Sequence, residues 1–280
     1  MASARLGAIE LDYRCQGEGP PLLLIMGLSG TYDHWDARFL ELLGREREVI
    51  LYDHRGVGGS SRVEQPFTIA ELAADALGLL DALDLPSVDV LGFSMGGMVA
   101  QELALAAPAR CRALALASTS CGGDRSAQPP PEVIERLGQA MTSGDRQRAL
   151  RTAWEVNTAQ PFTEDADAYA RFGAIGARRR VAVAVTLLQM RAIAGHDTAA
   201  RLAQLRLPTL ILHGSEDMMV PVANAAVLAE AIPGARVQLL PGAGHLFFWE
   251  APEQAAELVL AHLAGKAGAG ALQADAARAD

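Results

Sequence analysis

Six short apolar runs recur along the chain: Leu22-Leu23-Leu24-Ile25, Val49-Ile50-Leu51-Tyr52, Val88-Asp89-Val90-Leu91, Ala113-Leu114-Ala115-Leu116, Leu210-Ile211-Leu212 and Val237-Gln238-Leu239-Leu240. Each is bounded by Gly, Pro, Asp, His or Ser, the pattern of short strands buried in a parallel sheet. Helical spacing lies between them. Residues 68–85 open on Thr68 with Glu71 three positions on, a capping box. Residues 251–263 carry Pro252 in the first turn, where its missing N–H costs nothing. Strand and helix therefore alternate. They predict an α/β fold, a mostly parallel twisted sheet with helices on both faces. Residues 8–15 are expected to add antiparallel edge strands.

The alternation breaks between Thr119 and Leu207. Pro129-Pro130-Pro131 marks an exit from the sheet, and helix-like segments follow at 132–142, 146–157, 165–175, 180–194 and 198–205. The expected organisation is a core at 1–118, an inserted helical cap at 119–207, the rest of the core at 208–265, and an Ala/Gly-rich flexible tail at 266–280. Large apolar residues of the cap, Met141, Trp154, Phe162 and Met190, are candidates for a substrate pocket.

The composition narrows the function. Half of the 280 residues are hydrophobic, so one sizeable core is available, and the net charge of −9 repels nucleic-acid phosphates. The three cysteines, Cys15, Cys111 and Cys121, form no disulfide framework and no zinc-type spacing. No apolar run is long enough to span a bilayer, and residues 1–10 lack a signal-peptide core. A cytoplasmic protein without nucleic-acid or membrane partners is expected. Arg178-Arg179-Arg180 reads as a solvated helix face.

Gly92-Phe93-Ser94-Met95-Gly96-Gly97 stands between an apolar strand and a helix. Glycine-x-serine-x-glycine in that setting is a nucleophile elbow, with the serine hydroxyl held on a strained turn, and side chains at Gly92 or Gly96 would crowd it. Ser94 is the candidate nucleophile. His245, on the Gly-rich loop Pro241-Gly242-Ala243-Gly244, is its candidate general base. His34, His54, His196 and His213 are expected to pack or to bond backbone, and His262 to lie on the surface. In Gly214-Ser215-Glu216-Asp217 either carboxylate is able to orient the imidazole, with Asp217 preferred to Glu216. The amides of Leu28, in Met26-Gly27-Leu28-Ser29-Gly30, and of Met95 are the candidate oxyanion donors. Gly56-Val57-Gly58-Gly59-Ser60-Ser61 begins like a dinucleotide fingerprint but ends in serine and lacks the acidic residue that such a site needs.

These motifs together resemble the α/β-hydrolase superfamily. The matching pieces are Met26-Gly27 with Trp35, the stretch from Tyr52 to Ser61, the elbow at Ser94, His213 to Asp217, and Gly244-His245, in the order Ser, Asp, His. The resemblance is to esterases, enol-lactonases and cofactor-free haloperoxidase-like members. It implies a Ser94–His245–Asp217 triad and hydrolysis of a small carboxylic ester or lactone through an acyl-enzyme, with no metal or cofactor. Perhydrolysis, thioester or carbon–carbon cleavage on the same residues is the alternative, and a non-catalytic ligand receptor a more distant one. Met26 stands where the family usually has histidine. Ser118-Thr119-Ser120, at the end of the sixth core strand, carries no carboxylate, which leaves the acid to Asp217.

Overall fold

A computed structural model of the chain describes residues 2–179 and 181–265. The strands are β1 (Ala2–Leu6), β2 (Ile9–Gln16), β3 (Pro21–Ile25), β4 (Glu48–Tyr52), β5 (Val88–Phe93), β6 (Cys111–Ala117), β7 (Thr209–Gly214) and β8 (Arg236–Leu240). They form one sheet in the order β1-β2-β4-β3-β5-β6-β7-β8. The β1–β2 and β2–β4 pairs are antiparallel and the others parallel. All six apolar runs are strands, and the antiparallel edge begins earlier than the pattern implied, at Ala2.

The helices are α1 (Ala37–Gly44), α2 (Ile69–Ala82), α3 (Met95–Ala106), α4 (Pro131–Thr142), α5 (Arg146–Asn157), α6 (Ala166–Arg178), α7 (Val183–Ala194), α8 (Ala223–Ala231), α9 (Phe247–Glu250) and α10 (Pro252–Leu263). Thr68 caps α2 as expected, its hydroxyl accepting the Glu71 amide at 3.1 Å while the Glu71 carboxylate accepts the Thr68 amide at 2.8 Å. Alternate strand residues feed two apolar layers. Leu23, Ile25, Val88 and Val90 pack with α2, α3 and α8 residues. Leu22, Leu24, Leu91 and Phe93 pack with residues of α1, α9 and α10. None of the described helices is long and apolar enough to cross a membrane.

Helices α4 to α7 lie between β6 and β7, where the sheet pattern lapses. Both ends of this insertion are tied to α3. Gln101 of α3 donates to the Ser120 carbonyl at 2.9 Å and accepts the Thr198 hydroxyl at 2.6 Å, and Gly122 bridges Asp197. Residues 198–205 hold only a 3₁₀ turn, Leu202–Gln204, in place of the expected helix, because Thr198 is committed to Gln101 and to the Cys121 carbonyl.

Three further expectations are corrected. Arg179 is not on a solvated face. It follows α6 and pairs with Asp53 at 2.6 Å, Asp12 at 3.0 Å and Asp33 at 3.3 Å, over the Tyr32 ring at 4.3 Å. Three carboxylates from the core strands and their loops outweigh hydration there. His262 is buried in α10, its Nε2 donating to the Leu114 carbonyl at 3.0 Å. Trp154 is wholly buried among Phe162, Tyr169, Phe172 and Trp249, with Nε1 donating to the Thr163 carbonyl at 2.9 Å, so it is core of the insertion and cannot line an open pocket. The tail at 266–280 lies outside the described residues, as does Arg180.

Candidate active site

Strand order reverses at β3, which has β4 on one side and β5 on the other. In open parallel sheets the crevice beyond the strand C-termini at such a reversal is where ligands bind. Gly27 follows β3 there and Ser94 follows β5. Ser94 has φ 55° and ψ −121°, a conformation that costs a side-chain-bearing residue on the order of 1–3 kcal/mol and that only surrounding structure maintains. The two flanking glycines explain how it is maintained. A methyl on Gly96 would lie 2.0 Å from the Ile25 carbonyl oxygen, and one on Gly92 2.4 Å from that of Gly96. The elbow is therefore packed directly on the end of β3. A methyl on Gly27 would lie 3.0 Å from the Ser94 Cβ, which puts the β3 loop in contact with the elbow.

Met95 is the first residue of α3, where an amide has no carbonyl partner within its own helix. In the β3 loop, the amide of Ser29 donates to the Gln189 Oε1 of α7 at 2.8 Å, and the Ser29 and Thr186 hydroxyls share a hydrogen bond at 2.6 Å. Gly30 donates back to the Gly27 carbonyl at 3.2 Å. Leu28 sits inside this turn. The insertion thus holds the residue next to Leu28, a contact carried by fully buried Gln189 that no sequence motif signalled.

His245 follows β8 and Asp217 follows β7. The His245 Nδ1 lies 2.8 Å from the Asp217 Oδ2. A carboxylate only accepts, so Nδ1 carries the proton and Nε2 is left with a lone pair. The imidazole lies against the Phe93 ring, centroids 4.7 Å apart, beside the elbow. Asp217 is buried. Burial pushes its carboxyl up, but the facing imidazole of His245 and the hydrogen bonds from His213 and His245 outweigh that and hold it well below the usual carboxylate range. His213 Nε2 also donates to the Val220 carbonyl at 2.7 Å. Glu216 is exposed and joins the site only through its amide, which donates to the Ala243 carbonyl at 2.9 Å.

The remaining histidines play other parts. Burial lowers His54 to about 4, so it is neutral, and its Nε2 donates to the Met26 carbonyl at 2.9 Å. His34 is likewise lowered by burial to about 4, its Nδ1 accepting the Thr31 amide at 3.1 Å. His196 is lowered to about 4 by burial. Gly56 to Ser61 is an internal brace, with the Gly59 amide donating to Asp53 at 3.1 Å and the Ser60 hydroxyl to the Asp53 carbonyl at 2.6 Å. Of the candidate pocket residues in the insertion, Met141 and Met190 are more than a third exposed, and Phe162 packs on Trp154. A cleft of about 560 Å³ borders Thr158, Ala159, Glu216, Met218 and Gly242.

The model of the α/β hydrolase fold family matches residues 20–252. A protein of Azorhizobium caulinodans named carbamate hydrolase RutD is 32% identical over 266 residues, covering 93% of this chain and 97% of its own. A hydrolase from Pseudomonas aeruginosa PA01 shares 32% identity and superposes with a TM-score of 0.81, covering 94% of this chain and 97% of its own. The enol-lactonase from Burkholderia xenovorans LB400 shares 27% identity at a TM-score of 0.81, covering 94% and 100%. The chain is a hydrolase belonging to the α/β hydrolase fold family.

Proposed function

We propose that this hydrolase is a cytoplasmic serine enzyme that cleaves a carboxylic ester or lactone of a small apolar molecule. Ser94 attacks the carbonyl. His245 takes its proton at Nε2 and returns it to the leaving group, and Asp217 holds the imidazole in that tautomer and balances its charge. The amides of Leu28 and Met95 receive the oxyanion, each donor contributing about 3–4 kcal/mol in sites of this kind. Water activated by His245 then releases the acyl group. The insertion, residues 119–207, acts as the cap that shapes the substrate pocket, with Met141, Phe162 and Met190 as its candidate apolar contacts.

The observation that carries this reading is the buried 2.8 Å contact between His245 and Asp217, packed beside a serine held at positive φ. A carbamate is a second reading, favoured by the similarity to the Azorhizobium protein over nearly the whole chain. It needs no change of residues, because a carbamate carbonyl passes through the same tetrahedral species. Initial rates on p-nitrophenyl esters of graded acyl length, several lactones and an aryl carbamate separate these substrates. Replacing Ser94 by Ala is expected to abolish turnover on all of them while the circular dichroism spectrum is retained. Full activity in that variant ends the proposal.

A further inference from the structure

Glu250 closes α9, five residues after His245, and its carboxylate is committed to backbone amides. The Gly244 N–H donates to Oε1 at 3.0 Å and Oε2 at 3.1 Å, and the Ala159 N–H donates to Oε2 at 3.0 Å. Gly244 precedes His245. Ala159 belongs to the insertion, between α5 and the 3₁₀ turn Phe162–Glu164. The two segments touch closely: the Leu246 amide donates to the Asn157 carbonyl at 2.8 Å, and a methyl on Gly244 would lie 2.9 Å from the Ala159 nitrogen. Among the described residues no Lys, Arg or His forms an ion pair with Glu250.

Building on the serine-hydrolase reading, we propose that Glu250 is a positioning residue whose ionised carboxylate fixes the backbone of His245 and fastens the insertion to the site. An ionised carboxylate has lone pairs for both amides. Protonation removes the charge that strengthens the bonds from both amides. Oε2 faces both amides, so a proton on Oε1 leaves both anchors in place but weaker. Burial raises the Glu250 carboxyl to about 7, against the two amides that stabilise its charge and with Asp217 adding a like charge. On the same side of the site, Arg171 lies 5.8 Å from the ring of the neighbouring Trp249, and His245 stands five residues before Glu250. Glu155, Glu164, Glu216 and Arg136 stand along the cleft that borders Thr158 and Ala159.

Loss of the Glu250 charge therefore loosens the backbone that carries His245 as pH falls through about 7. The test is the second-order rate of Ser94 labelling by a fluorophosphonate from about pH 5 to pH 9, for the wild type and Glu250→Gln. The wild type is expected to lose on the order of tenfold more labelling rate between alkaline and acid pH than Glu250→Gln does, the scale of a misplaced catalytic group. Glu250→Gln keeps a neutral acceptor at every pH, so it labels slower than the wild type by on the order of tenfold at alkaline pH and approaches the wild-type rate at acid pH. A wild-type profile that fits a single protonation overturns the proposal whether or not the variant folds, as does a wild-type-to-variant rate ratio that stays constant across the range in a folded variant. No labelling at any pH overturns the serine-hydrolase reading, and this inference with it.

Discussion

Asp217 divides its carboxylate between His245 and its own loop. Oδ2 lies 2.8 Å from His245 Nδ1, while Oδ1 accepts the amides of Met219 at 2.9 Å and Val220 at 2.8 Å. The loop bonds fix the carboxylate plane, and that plane fixes the imidazole. Asp217→Asn keeps the shape but offers the ring an amide that cannot match the charge of an imidazolium. In steady-state assays kcat is expected to fall by roughly 10⁴ with KM little changed, the size of effect seen when a triad loses its acid. A loss below tenfold would mean that Asp217 does not orient the base.

Gln189 offers a way to disturb the proposed oxyanion loop without touching the proposed triad. Its Oε1 is the acceptor for the Ser29 amide, one residue from Leu28. Gln189→Leu leaves that half-buried amide without its side-chain partner, a loss of about 1 kcal/mol. The loop then has freedom to turn its donors away from the carbonyl. The expected outcome is a fall in kcat of at least about tenfold on p-nitrophenyl acetate, larger than any rise in KM, because the oxyanion exists only beyond the ground state.

Arg179 neutralises a buried acidic cluster contributed by β2, the end of β4 and the loop between β3 and α1. Arg179→Met leaves Asp53, Asp12 and Asp33 facing one another in low dielectric. Losing one partner of a buried pair is worth on the order of 3–5 kcal/mol, and the guanidinium here is 15% exposed, so a loss near about 3 kcal/mol is expected from urea unfolding. A variant within experimental error of the wild type would make the cluster ornamental to stability.

Asp53 gives the same cluster a pH signature. Burial raises its carboxyl to about 6, against the amides of Tyr32 and Gly59 and the charge of Arg179. The folded state then binds the proton more tightly than the unfolded chain, whose carboxyl titrates near 3.8. The contribution of this group is full below that value and is lost as pH rises through about 6. Urea midpoints measured from about pH 4 to pH 7 are expected to decline less steeply in Asp53→Asn than in the wild type. A steeper decline in the variant would reverse the sign of the effect.

The sheet was legible in the chain because a strand buried on both faces must be apolar along its whole length, as Leu22 to Ile25 and Leu210 to Leu212 are. The elbow was legible for a related reason: Gly92 and Gly96 stand where carbonyl oxygens and the Ala100 methyl leave no room for a Cβ. What stayed hidden depends on partners far off in sequence. Arg179 looks like part of a surface charge run until Asp12 and Asp53 are brought beneath it. His262 has the helical position of a late surface residue until the Leu114 carbonyl of β6 meets it. Glu250 and Gln189 are ordinary helix residues by composition, and only tertiary folding turns them toward the amides of Gly244 and Ser29. Trp154 was ambiguous for a simpler reason, since size and apolarity suit a pocket wall and a core alike.

Intact-mass and peptide analysis after exposure to a fluorophosphonate asks whether Ser94 is activated at all. One adduct per chain on the peptide bearing Ser94, absent from Ser94→Ala and slowed by orders of magnitude in His245→Ala, is the expected result. A folded wild-type protein that acquires no adduct, or acquires it equally when residue 94 is alanine, would contradict a triad at this site.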